Sequence, residues 1–202
     1  MNAAKPAPIE HQIHPVIAGR WSARAIDPHK PVARADLLRM LEAARWAPSC
    51  FGDEPWRFLV WDKTRDPEGW EQAASILAEK NQRWARNAPV LIASLADGQF
   101  GRNDKPNRWA QYDTGAASVS LHMQGVDLGL VVHQMGGFDK ARLAEVFDIP
   151  ERFTAMAMIA VGHPAPATTL DEDFRDGETG PRDRKSMSEI AFEGRMDRPL
   201  DD

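Results

Sequence analysis

The sequence predicts an α+β domain, and three observations carry that expectation. The middle of the chain reads as one long helix that is apolar or small on most of its circumference. Three runs, 56–61, 89–95 and 154–162, have strand composition. Amphipathic helical spacing fills much of the remainder. One domain over 20–163 is expected, with an N-terminal arm at 1–19 and a C-terminal extension at 164–202 that docks on a partner subunit.

The central helix comes from residues 108–138. Trp109, Tyr112, Ala116, Val119, Met123, Val126 and Leu130 recur in alternating steps of three and four, the spacing of one helix face. Ala110, Thr114, Ala117, Leu121 and Leu128 form a second stripe beside it. Such a helix is expected to be buried, and at about 1.5 Å per residue it would span roughly 30 Å. Gly115, Ala116, Ala117 and Ser118 leave room for another backbone. The helix is expected to run through Gly129 into the apolar residues 130–132 and to stop at Gly136 and Gly137. Its exposed side suits a second subunit; a core helix of a monomer is the alternative.

The remaining elements follow in order. Residues 1–19 hold three prolines and no periodicity, which reads as an arm. In an extended segment Arg20, Ser22 and Arg24 point to one side and could face one anionic ligand together. A solvated basic strand edge is the other reading. Residues 33–47 form an amphipathic helix with Leu37, Leu38, Leu41, Ala44 and Ala47 inward, and Asp36 in its first turn suits the helix dipole. A loop at 49–55 leads into the aromatic strand 56–61. Residues 67–85 read as one helix, irregular at its start. Residues 89–95 form a strand buried on both faces. A polar loop spans 97–107, and a short helix at 139–147 is capped by Asp139. Residues 164–185 show no periodicity, and a loop that long is usually functional or wrapped around a partner.

Composition excludes several classes of function. The chain has 202 residues, is 43% hydrophobic and 27% charged, and carries a net charge of −5. That argues against nucleic-acid and anionic-membrane surfaces. A single cysteine, Cys50, excludes an internal disulfide and a cysteine-based metal cluster. Residues 1–20 have no apolar core of signal-peptide length, so a cytoplasmic protein is expected. Seven tryptophans against one tyrosine point to flat apolar surfaces that pack on a ring system or at an interface. The dinucleotide fingerprint G-x-G-x-x-G, the triphosphate loop and the esterase motif G-x-S-x-G are all absent. The six histidines show no metal-ligand spacing, and nothing beside Cys50 would activate it as a nucleophile.

Five segments, in order, resemble the FMN-dependent nitroreductase family. Arg20-Trp-Ser-Ala-Arg24 is similar to its R-x-S-x-[RK] segment. Residues 47–58, APSCFGDEPWRF, resemble its A-P-S-S-x-N-x-Q-P-W-x-F loop and strand. Asn81 stands seven residues before the run 88–92, where the family has a flavin-contacting asparagine. Residues 129–138 resemble its G-L-G…G-F element, and 182–185, RDRK, its C-terminal basic segment. The likeness spans about 17–195.

The resemblance implies a mainly antiparallel sheet flanked by helices, an intertwined homodimer with an exchanged C-terminal arm, and FMN at each subunit interface. It also implies ping-pong chemistry with NADH or NADPH as donor and a small flat acceptor such as a nitroaromatic or quinone. Carried over residue by residue, it assigns Arg20, Ser22 and Arg184 to the phosphate, which guanidinium forks bind well. It assigns Arg24 and Arg182 to the ribityl and pyrimidine side, where a cation favours reduced flavin. Asn81 falls at the ring's polar edge, Gln134, Met135, Gly136 and Gly137 bind the cofactor, and the backbone amides of Gly136 and Gly137 lie near flavin N5. Pro48 and Ser49 would form the opposite wall. No side chain is expected to act as acid or base, and no metal is expected. Three positions depart from the pattern: Cys50, Gly52 and Glu54 replace Ser, Asn and Gln. Glu54 cannot donate as an amide does and is expected to point away. Other readings are a dehydrogenase or dehalogenase of one metabolite with residues 96–108 as lid, a flavin-storage protein without turnover, and an interaction module without flavin.

Overall fold

The computed structural model describes residues 5–200, so the first four residues of the arm and the last two of the extension lie outside the described residues. Eleven elements of regular structure follow one another among them: α1 (Pro15–Gly19), α2 (Arg34–Arg45), β1 (Trp56–Asp62), α3 (Pro67–Ile76), α4 (Glu79–Ala85), β2 (Val90–Asp97), α5 (Ala110–Asp127), β3 (Val131–Met135), α6 (Lys140–Val146), β4 (Phe153–Gly162) and α7 (Glu172–Thr179). The strands form one sheet in the order β1-β2-β4-β3, and every pairing is antiparallel. This is the α+β architecture and antiparallel sheet the sequence led us to expect.

Strand periodicity divides the core into two layers. Leu91, Ala93 and Leu95 of β2 and Met158 and Ala160 of β4 face one cluster, with Trp70, Trp84 and Leu143. Val90 and Ile92, and Ile159 and Val161, face the other, with Leu37 and Met40 of α2 and Ala117 and Leu121 of α5. Successive side chains on a strand point to opposite faces, so a sheet covered on both sides needs unbroken apolar strands. β2 is buried at all eight positions.

The central helix differs from expectation in three ways. It ends at Asp127, because Gly129 takes a left-handed φ of +75° that a β-branched or bulky residue resists. The apolar residues after it then form the edge strand β3, which helical periodicity had absorbed. And only the second stripe is buried: Ala110, Thr114, Ala117 and Leu121 face the sheet. Trp109, Tyr112 and Val119 of the first stripe remain 42%, 77% and 49% exposed.

Local geometry corrects four more expectations. In α2 the inward residues are Leu37, Met40 and Ala44, while Leu38 faces outward. Residues 67–85 form two helices, because Leu77 and Ala78 are extended between them. There Leu77 pairs with Phe138 in an isolated antiparallel bridge, and Ala78 N–H donates to Gly137 O at 3.0 Å. Residues 15–19 of the arm are helical, starting at Pro15, whose fixed φ suits a first turn. Residues 172–179, within the stretch read as irregular, form α7. Buried Glu178 on α7 accepts hydrogen bonds from the backbone N–H groups of Arg24 and Ala25 at 3.0–3.1 Å, and Arg83 pairs with Asp171 and Asp173. Asp139 caps α6 as expected, accepting from Arg142 N–H at 3.0 Å.

Candidate functional site

Residues 20–26 leave α1 in an extended path that places Ala23 and Ala25 inward and Ser22 and Arg24 outward. Ile26 pairs with Pro164 beyond β4, which holds this path against the sheet. The extended geometry sets Arg20 and Ser22 on one side, and both line two cavities of about 250 Å³ each.

The first of these cavities is cationic. Arg20 and Ser22 meet Lys5, Trp21, Gly177, Pro181, Arg182, Asp183 and Arg184. Burial, then the charges of Arg182 and Arg184, holds the Arg20 pKa below its ordinary value. Unlike a structural ion pair, this cluster gathers like charge, and it would be relieved by a bound anion. Arg182 is the more occupied of the two C-terminal cations, donating to Lys5 O at 3.1 Å and Ala18 O at 2.8 Å. Arg184 is exposed and donates to Asp183 O.

The second cavity is uncharged apart from Arg20. Val119, His122 and Met123 of α5 and Gln134 of β3 line it with Arg20 and Ser22. His122 is 4% exposed, and its Nε2 has no hydrogen-bond partner. Burial, then Arg20 and His133, lowers its pKa to about 3, so the ring is neutral at ordinary pH. His133 on the opposite face of β3 bonds through Nδ1 to Ala23 O at 2.9 Å and stacks on Trp84; burial outweighs that bond and brings its pKa to about 4.

Other expected residues are placed as follows. Asn81 Nδ2 donates to Gly137 O at 2.9 Å, so the asparagine and the glycine pair at the end of β3 do meet. A Cβ on Gly137 would come within 2.9 Å of that Nδ2, whereas one on Gly136 would meet nothing within 4 Å. Met135 is buried, so its side chain belongs to the core and only its backbone is available there. Arg24 lines neither cavity; its guanidinium lies 5.8 Å over the Phe174 ring. Pro48 and Ser49 stand apart. Ser49 Oγ accepts from Glu54 N–H at 3.1 Å, and Cys50 N–H donates to Asp113 in the first turn of α5. From Asp113 to His122 is nine residues, about 14 Å along a helix. One chain therefore does not bring Pro48 and Ser49 to the Arg20 cavities. Glu54 is exposed.

His122 and Glu178 were missed in the sequence. Neither carries a local sequence signal that marks it as a site residue. A cavity of about 390 Å³ beneath the N-terminal arm is larger, but among the described residues Asp127 is its only charged side chain, and the mostly apolar walls offer an anion nothing.

Residues 17–163 match the model of the nitroreductase family. The chain belongs to that family. Among curated nitroreductase-like relatives, YdgI of Bacillus subtilis, named as a candidate NAD(P)H nitroreductase, is 28% identical over 186 residues. That match covers 74% of this chain and 87% of YdgI. An uncharacterized 15.4 kDa protein of Mycolicibacterium smegmatis is 35% identical over 124 residues, 61% of this chain and 82% of its own length. A crystal structure described as an oxidoreductase containing FMN superposes with a TM-score of 0.89 at 36% identity, covering 98% of this chain and 100% of that one. A candidate nitroreductase from Desulfovibrio desulfuricans, solved in complex with FMN, gives 0.71 at 26% identity, covering 90% and 98%. This nitroreductase-family chain thus shares fold and near-complete length with flavin-containing structures.

Proposed function

We propose that the protein is an NAD(P)H-dependent FMN oxidoreductase that reduces nitroaromatics, quinones or similar flat acceptors. The observation that carries the reading is the convergence of Arg20, Ser22, Arg182 and Arg184 on one cavity. Guanidinium groups bind phosphate by charge-assisted forks, and a dianion offsets their mutual repulsion. Arg20 and Arg184 hold the phosphate there, with Ser22 as a neutral donor. Asn81 fixes the Gly136–Gly137 backbone beside the flavin's polar edge. When bound, FMN supplies the hydride chemistry, accepting from NAD(P)H and delivering to the acceptor in turn. The protein's part is position, electrostatics and exclusion of water, so no side chain is needed as acid or base.

The proposed assembly is a homodimer. The exposed stripe Trp109, Tyr112 and Val119, and open space above Gly115, suit a second copy on α5. That copy's Pro48 and Ser49 would supply the wall that one chain leaves open, with the part of the extension beyond Arg184 docked across the interface, since residues 164–182 pack on their own chain. The cytoplasm, with its NAD(P)H supply, is the proposed setting.

A second reading keeps the cofactor but gives it one dedicated acceptor. It draws on the order of the 97–107 loop: Asp53 accepts from Gly101 N–H at 2.9 Å and from Asn107 Nδ2 at 3.1 Å. Arg102 there stacks 4.0 Å from the exposed Phe51 ring.

The test is an anaerobic absorption spectrum of the purified protein loaded with FMN. Bleaching of the flavin bands by NADPH or NADH, then recovery with a panel of flat acceptors, is the expected result. Recovery with one compound alone supports the second reading. A protein that takes up no FMN overturns both.

A further inference from the structure

The two small cavities share Arg20 and Ser22 but differ in chemistry. One adds Lys5, Arg182 and Arg184; the other adds Val119, His122, Met123 and Gln134, none of them charged. FMN is built the same way, a dianion joined to a neutral polyol. Resting on the flavin reading above, we infer that His122 is a positioning residue whose Nε2–H donates to a ribityl hydroxyl in the uncharged cavity, while the phosphate occupies the cationic one.

The tautomer follows from the neighbours. Gln134 Nε2 lies 3.4 Å from Ser118 O and 3.5 Å from His122 Nδ1. An amide nitrogen only donates, so Nδ1 accepts and the ring proton sits on Nε2. That N–H is buried and unpartnered, and a buried donor without an acceptor costs about 1–3 kcal/mol. Of the five buried side-chain polar atoms without a partner among the described residues, His122 Nε2 is the one whose side chain lines the uncharged cavity, where a ligand can complete it. A charged imidazolium would add a fifth cation to Lys5, Arg20, Arg182 and Arg184 beside the phosphate group. Held neutral by burial and by Arg20, the ring is instead matched to an uncharged hydroxyl.

Binding of FMN and of riboflavin to the flavin-free protein tests this, measured by fluorescence quenching on wild type, His122→Phe and His122→Gln. The Phe ring keeps the shape and removes the donor; the Gln amide restores a donor near the Nε2 position. The expected result is about tenfold weaker binding of both flavins by His122→Phe, with most of the loss recovered by His122→Gln. Wild-type affinity in His122→Phe overturns the inference and leaves the flavin reading standing. Loss confined to FMN overturns it too, because the contact would then be to phosphate. A wild-type protein that binds neither flavin sinks the flavin reading and this inference together. If His122→Phe does not fold, nitrogen-15 NMR of the wild-type imidazole decides. An Nε2–H resonance that shifts downfield on saturation with FMN supports the contact, and one that does not move overturns it.

Discussion

Arg20 sits half-buried among cations, and burial, then Arg182 and Arg184, holds its pKa below the ordinary value. Replacing it with Ala removes the one charged residue that both cavities share. FMN affinity is expected to fall about 10- to 150-fold, the worth of one or two charge-assisted contacts, with folding intact. Equal flavin occupancy in Arg20→Ala would remove Arg20 from the phosphate group. The buried histidines act at the same scale but on stability. His133 is 8% exposed and its pKa is lowered from 6.5 to about 4 in the fold. Below pH 6.5 the unfolded chain takes up a proton that the folded ring refuses. Its contribution is therefore complete above pH 6.5 and is lost as pH falls towards 4, by an amount on the order of 3 kcal/mol. His133→Asn retains a donor for Ala23 O and no longer titrates, so its urea midpoint should drop less over that range. Parallel midpoint curves for the two proteins would show that burial of His133 is not what makes the fold acid-sensitive.

At the scale of elements, the extended break between α3 and α4 decides what happens at the end of β3. Leu77 and Ala78 leave helical geometry to pair with Gly137 and Phe138, and Asn81, in the first turn of α4, is thereby seated over Gly137 O. A Cβ at Gly137 must displace the Asn81 amide. Gly137→Ala is expected to cost roughly 1–2 kcal/mol and to weaken flavin binding, since the backbone beside the flavin moves with it. Gly136→Ala meets open space in the single chain and should unfold at the wild-type denaturant concentration. Equal stability of the two variants would mean that the Asn81 contact does not hold the turn. Glu178 works similarly for α7, tying it by its carboxylate to the strand-like residues 24–25 that follow Arg20 and Ser22.

The whole molecule presents one apolar face without a covering in the single chain. Trp109, Tyr112 and Val119 on α5, with Leu38 and Trp46 on α2, are all more than 40% exposed. Exposed large apolar residues on these two helices support the proposed homodimer. The wild-type protein is expected to sediment as a dimer, and the double variant Trp109→Glu, Tyr112→Glu, neither residue lining either small cavity, as a monomer. Loss of FMN from that monomer would show that the second copy's Pro48 and Ser49 complete the site. A monomeric wild-type protein with full flavin would remove the dimer from the proposal.

Periodicity and composition were enough to place β1, β2, β4, α2 and α6, because each is specified by its own apolar spacing or cap. The order of Arg20, Ser22, Asn81 and the glycine pair was likewise legible, since the segments that carry them keep their spacing along the chain. What sequence could not rank was burial. The two stripes of α5 have similar hydrophobicity, and only the sheet's position makes Leu121 core and Tyr112 surface. β3 was hidden because a strand of five residues has no periodicity to set against the helix before it. His122 has no local signature as a site residue; it becomes one only where α5 crosses β3 beside Arg20, a contact between segments about a hundred residues apart. The sequence by itself determined which chemistry the chain carries. Tertiary structure decided which of those groups meet, because contact depends on packing across the sheet and not on spacing along the chain.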